Sequence, residues 1–319
     1  MKRFLKRSCI IAVPALAMLF SFALRAQAPE GKDLSWAYAV PSKEQPPVDE
    51  KKLHQLPGSS LSLTQPQIDD LLNPPDWFPN EHPAPPKIVV HGTAPNALGC
   101  GSCHLMNGLG HPESATLAGF PASYLIRQME YFKSGARKEP ARMNVIARQL
   151  TDEEIRQAAE YFAALKPVAW TKVVEADSAP KSRVTRGRMR LPAEGGGMEP
   201  LGNRIMTLPL DAERVEERDP HSGFTAYVPK GSLKKGEALV KNSNGKTVQC
   251  AICHGKDLHG IGDVPRIAGL HPIYIVRQLY NFKNGGANGG LDQLMKQVVE
   301  NLNDDDIVSL AAYVASVAP

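Results

Sequence analysis

Apolar residues recur at helical spacing along two stretches of the chain that resemble one another. Leu125, Met129 and Phe132 share one helical face, interrupted only by the polar Gln128. Ile155, Ala158, Ala159 and Phe162 form a cleaner stripe, opened by Thr151 and Glu154 as a capping box. Ile307, Leu310, Ala311 and Val314 repeat that stripe near the C-terminus, with Asn303 as a good N-cap. A further opening helix is predicted over 234–241. Elsewhere the rhythm breaks. Residues 29–86 carry Pro74-Pro75, Pro79, Pro83 and Pro85-Pro86 and read as an extended, loop-rich arm. The stretch before Cys100, with Gly92, Pro95 and Gly99, makes a poor helix, so the N-terminal extension is expected to complete the first helical unit.

The resemblance between the stretches is an internal repeat. At an offset of 150, Leu117-Ala118-Gly119 matches Ile267-Ala268-Gly269, the run from Tyr124 to Met129 matches that from Tyr274 to Leu279, and Phe132-Lys133-Ser134-Gly135 matches Phe282-Lys283-Asn284-Gly285. Two inserted residues then move the offset to 152, where Leu150 and Ile155 match Leu302 and Ile307. A length of 319 residues suits about two domains. Ordinary hydrophobic (42%) and charged (22%) fractions exclude a wholly disordered or fibrous chain. With 27 prolines and 6% aromatics, small helical units joined by irregular segments are expected. The repeat places domains at 87–168 and 231–319, and residues 169–230 between them are too long for a plain loop.

The first 28 residues read as an export signal. Lys2, Arg3, Lys6 and Arg7 precede an apolar run from Cys9 to Leu24, and Ala26 and Ala28 supply a small-residue cleavage site. The run is short for a bilayer span, so membrane attachment is expected only if the segment stays uncleaved. Its removal takes five basic residues and no acid, and the formal charge falls from +4 to −1. The apparent basicity therefore gives no support for nucleic-acid binding.

Of the five cysteines, Cys9 leaves with the signal, and the others form two copies of one pattern. Cys100-Gly101-Ser102-Cys103-His104 and Cys250-Ala251-Ile252-Cys253-His254 are both C-x-x-C-H, the attachment signature of c-type haem. Two thiols separated by two residues can add across the haem vinyl groups, and the following His reaches the iron. A shared structural zinc would have to join pairs 150 residues apart and gives the histidines no role. A thioredoxin-like pair expects an α/β surround, and simple disulfides do not need a His after each pair.

At the offset of 152, Met143 corresponds to Met295, each seven residues before the matched leucine. His on one side and Met on the other commonly hold the iron of electron-transfer haems. His104 with Met143 and His254 with Met295 are therefore expected as axial pairs, in preference to Met as core filler. Rival ligands are few. Met189, Met198 and Met206 lie outside the repeat. His54, His82, His91, His111, His221, His259 and His271 have no mates in the other half and read as surface or structural.

With both C-x-x-C-H motifs, the L/I-A-G turn, the Y-x-x-R-Q helix, the paired methionines and the capped terminal helix, the sequence resembles the class I c-type cytochromes in a tandem, di-haem arrangement, over roughly 96–166 and 231–317. The resemblance implies an all-α fold: two tandem class I domains, a Pro-rich N-terminal arm and a long irregular interdomain linker. It also implies two covalently bound haem c groups and one-electron transfer in the periplasm. In that family a Pro two residues before L/I-A-G positions a carbonyl near the ligand His. Pro265 fits, whereas the first copy has Ala115.

Trp36, Trp77 and Phe78 are expected to pin the arm to the core. The basic run Lys181, Arg183, Arg186, Arg188 and Arg190 suits either a docking surface or a solvated linker. Arg127 and Arg277 recur at one helix position and suit either haem propionates or helix carboxylates. The function expected is that of an electron carrier, with no catalytic residue, exchanging electrons with a periplasmic dehydrogenase, a terminal oxidase or a reductase. A cytochrome subunit of a dehydrogenase complex is the alternative. A di-haem peroxidase-like enzyme is disfavoured, because two filled axial positions leave no open site.

Overall fold

The computed structural model describes residues 34–43, 45–93, 95–139 and 142–319. The export-signal reading of 1–28 lies outside these residues. Among the described residues no helix is long and apolar enough to cross a membrane.

Each repeat copy is helical, as its periodicity requires. The first contains Gly101–His104, Ala122–Ser134, Met143–Gln149 and Asp152–Ala164. The second contains Ser232–Asn242, Ala251–His254, Pro272–Lys283, Asp292–Val299 and Asp304–Ser316. Both terminal helices open on complete capping boxes, Thr151 with Glu154 and Asn303 with Asp306, which satisfy backbone donors that a helix start otherwise leaves orphaned. Gln128, the polar break in the first stripe, is buried at 7% exposure and accepts a hydrogen bond from Arg137.

The copies differ at their entrances. The second opens on the Ser232–Asn242 helix, which packs across Asp304–Ser316. The first has only the four-residue Lys87–Val90 helix there. The arm fills the remaining space. Gly92 and Gly99 donate to the carbonyls of Leu72 and Leu71, and Cys100 donates to Ile88. Leu71 and Leu72 pack on the cluster of Ile88, Leu98, Ile146 and Ile155. The arm also has a small core of its own, Leu56, Ile68 and Trp77.

The all-α expectation is wrong for the segment between the copies. Residues 169–230 are not an irregular linker but a set of short strands. Thr171–Glu175 runs parallel to Phe224–Val228, which pairs antiparallel with Met206–Pro209 on its other side. Two hairpin-like pairs, Ser178–Pro180 with Met198–Pro200 and Ser182–Val184 with Arg190–Pro192, lie between. The arm adds Leu53–His54 with Leu63–Thr64. The central strand alternates as a half-buried strand must: Phe224, Ala226 and Val228 are buried, Thr225 and Tyr227 are not. Helical spacing in the repeat says nothing about this segment. Its longest strands are five residues each, and their parallel pairing needs a long crossover that no local pattern announces. The basic run forms part of the second hairpin, with Arg188 at positive φ in its turn.

One apolar core runs from Leu105, Phe120 and Phe162 of the first copy, through Trp170 and Phe224 of the inserted sheet, to Leu239, Val276 and Ile307 of the second. The contact between copies is a pseudo-two-fold seam. Arg137 forms a β-bridge with its own repeat mate, Ala287. The flanking bonds are mates as well: Lys138 N–H to Gly286 carbonyl (2.7 Å) and Asn288 N–H to Ala136 carbonyl (2.8 Å). Four arginines reach across it. Arg127 donates to the Asp263 carbonyl and Arg277 to the Pro112 carbonyl, while Arg266 donates to Ala118 and Arg137 to Tyr274 and Gln278.

Candidate functional site

The two C-x-x-C-H motifs fold alike because each is a single helical turn. Cys100 and Cys250 have αR backbone angles at the N-caps of Gly101–His104 and Ala251–His254. His104 N–H donates to the Cys100 carbonyl at 3.0 Å, and His254 N–H to the Cys250 carbonyl at 2.9 Å. Each turn stops at once, at Leu105 (φ 59°) and Gly255 (φ 84°). The following loop then folds back: Gly110 N–H reaches the His104 carbonyl at 2.9 Å and Gly260 N–H the His254 carbonyl at 2.7 Å.

The returning loop orients each imidazole. His104 Nδ1 lies 2.8 Å from the Ala115 carbonyl oxygen, and His254 Nδ1 lies 2.8 Å from that of Pro265. A carbonyl can only accept, so Nδ1 carries the proton and Nε2 keeps its lone pair. Pro at the second position is not required for this. Any residue has the carbonyl, and Ala115 supplies it with the same geometry. Both rings are buried, and burial lowers the pKa of His254 and takes that of His104 to about 4. The imidazoles are neutral at pH 7, the form that binds a metal ion. The L/I-A-G turn is tied to the terminal helix in both copies, Gly119 N–H to Phe162 and Gly269 N–H to Val314, each at 3.0 Å.

None of the four motif cysteines is joined in a disulfide. Burial pushes Cys100 up to about 12 and Cys250 to about 11, so neither is suited to thiolate redox chemistry. Met143 begins its helix and packs, with Cys100, Ile126 and Met129, on the first copy's apolar cluster. Met295 is half-buried in the Asp292–Val299 helix, against the core that also receives Cys250. Two thiols spaced by two residues, a neutral imidazole pinned through Nδ1 and an apolar surround containing a methionine are a donor set that fits haem c.

Of the rival residues, Met189 packs on the main core and the others lie elsewhere. Met206 is buried in a separate cluster with Ala179, Leu201 and Leu208, and Met198 is exposed on a strand. His54, His82, His91, His111 and His221 are bonded to Glu217, Asp76, Asn73, Glu113 and Glu81. His259 meets the Ala318 carbonyl, and His271 is buried between Thr171 and the Leu109 carbonyl. Arg137 is the residue that sequence reading missed, since it has no repeat mate of its own type.

The surroundings of the two motifs are unequal. In the first copy Ser102 is 2% exposed, its carbonyl accepting from Arg218 of the inserted segment, and Gly101 and Met106 share a small cavity with Trp77 and Phe78 of the arm. At the equivalent position of the second copy Ile252 is 64% exposed, with Lys256 open nearby.

Residues 233–318 match the Cytochrome c family. The chain is 24% identical over 235 residues to a thiosulfate dehydrogenase electron acceptor of Stutzerimonas stutzeri, spanning 72% of this chain and 85% of that protein. It is 24% identical over 223 residues to a cytochrome c4 of Pseudomonas aeruginosa, spanning 67% of this chain and 82% of that protein. Over 68 residues it is 32% identical to a cytochrome c-554(548) of Halomonas halodenitrificans, spanning 21% of this chain and 82% of that protein.

Proposed function

The chain belongs to the class I c-type cytochromes, a di-haem electron carrier with two covalent haem c groups, and from that premise we propose how its residues serve them. Cys100 and Cys103 hold one haem through thioether bonds, and Cys250 and Cys253 hold the other. His104 with Met143 would hold one iron, and His254 with Met295 the other. Bound haem c supplies an iron that takes up and releases one electron with both ligands in place.

The protein's part is to hold that geometry still. The Ala115 and Pro265 carbonyls fix the imidazole planes, the buried surroundings exclude water, and the terminal helices clamp the L/I-A-G turns. The observation that carries the reading is the pair of equal His Nδ1–carbonyl distances in two copies of one motif.

Electrons exchange with redox proteins at the second copy. There the motif residue Ile252 is open, whereas the inserted segment covers its counterpart Ser102 in the first copy. The relative named as an electron acceptor of a dehydrogenase supports a periplasmic dehydrogenase as donor. Mass spectrometry of the protein purified from the periplasm tests the core of this reading. Two haem masses bound covalently are expected, and one or none overturns it.

A further inference from the structure

We propose that Arg137 is a shared electrostatic control for both haems, a single buried positive charge at the seam that raises their two reduction potentials together. The inference rests on the di-haem reading above.

Arg137 stands beside the pseudo-two-fold axis of the molecule. It is bridged to Ala287, its own repeat mate, so the local symmetry axis passes between them. Its guanidinium binds two further mates at once: it donates to Gln128 of the first copy and, at 2.6 Å, to Gln278 of the second, with the Tyr274 hydroxyl at 3.3 Å. The residue is 8% exposed and stacks over the Phe132 ring. The repeat does not require it, because the second copy manages the same turn with alanine.

Its charge is sequestered from solvent at the seam. All three of these hydrogen-bond partners are neutral, and among the described residues no carboxylate lies within ion-pair distance of it. Asp292 acts on it electrostatically and favours its charged form, although burial pushes that carboxyl upward. The other three seam arginines add positive charge, and only Arg127 is ion-paired, with Asp263. Taking a cation out of water costs several kcal/mol, so a protein is expected to retain a buried one where it acts or where a further anion arrives. Haem c brings such anions, as each carries two propionates. A positive charge favours the ferrous over the more positive ferric form, and beside the axis it acts on both irons alike. At a separation of about 10 Å in a medium of effective dielectric about 20, one unit charge changes such an equilibrium roughly tenfold.

The test is a potentiometric titration, followed by absorption, of the full di-haem protein carrying Arg137→Gln or Arg137→Lys. Arg137→Gln is expected to lower the ferrous-to-ferric ratio of both haems, roughly tenfold at a fixed ambient potential, and Arg137→Lys to keep both near the parent. A second variant, Gln278→Glu, places a carboxylate beside the guanidinium and is expected to lower both ratios with Arg137 present. It decides the matter if Arg137→Gln does not fold. Unmoved potentials, or a shift confined to one haem, overturn the proposal while leaving the di-haem reading intact. A protein with fewer than two haems refutes the reading beneath it instead.

Discussion

Gly236 and Ser309 meet backbone to backbone where the Ser232–Asn242 and Asp304–Ser316 helices cross. A β-carbon at Gly236 would collide with the Ser309 carbonyl oxygen and lie 2.6 Å from Tyr313 Cβ. Backbone on both sides leaves nothing flexible to yield. Gly236→Ala is therefore expected to destabilise the second copy by about 3 kcal/mol. A denaturant unfolding curve within experimental error of the parent would show that the crossing relaxes freely.

If sulfur completes each iron's coordination, Met143→Ala and Met295→Ala each remove about half of the methionine-ligation band at the red end of the oxidised spectrum. The double variant removes it all. Retention of the full band in both single variants would move the ligand assignment elsewhere.

His271 is 1% exposed, and burial, helped by nearby His111, lowers its pKa to about 3 from 6.5. Below about pH 6 the unfolded chain takes up a proton at this residue that the folded chain refuses, so acid weakens folding. The contribution is absent above about pH 7, grows by about 1.4 kcal/mol per pH unit on acidification, and levels off near pH 3. His271→Gln is expected to flatten the pH dependence of the unfolding midpoint over that window. Parallel profiles for parent and variant would contradict this.

Trp77 anchors the arm to the inserted segment. It is 3% exposed, and its Nε1–H donates to the Glu217 carbonyl at 2.7 Å. Trp77→Ala removes both the packing and the bond, at a cost of about 4 kcal/mol. Limited proteolysis should then cut within the arm while the second copy stays intact. An arm as resistant as the parent's would mean that its other contacts suffice.

Ile252→Lys places a charge at the open motif of the second copy. Electron exchange with a soluble mono-haem c-type cytochrome, followed by stopped flow, is expected to slow about tenfold for both haems. Reduction by dithionite is expected to be unchanged. An unaffected protein-to-protein rate would place the exchange surface elsewhere.

Much of this protein is decided within a few residues of chain. A C-x-x-C-H turn, a capping box or a stripe at helical spacing needs only neighbours three or four positions away, so the haem-binding turns and the helices around them can be read from the residues alone. The repeat also pairs Met143 with Met295 by position, which is what proposes them as ligands. Chain folding in three dimensions settles what no local pattern carries. Thr171 finds Phe224 across a crossover, Arg218 covers Ser102 from over a hundred residues away, and Arg137 joins Gln128 to Gln278. Such contacts depend on where distant segments come to rest against one shared core. That is why the sheet, the covering of the first motif and the buried charge at the seam emerged only once the chain was packed.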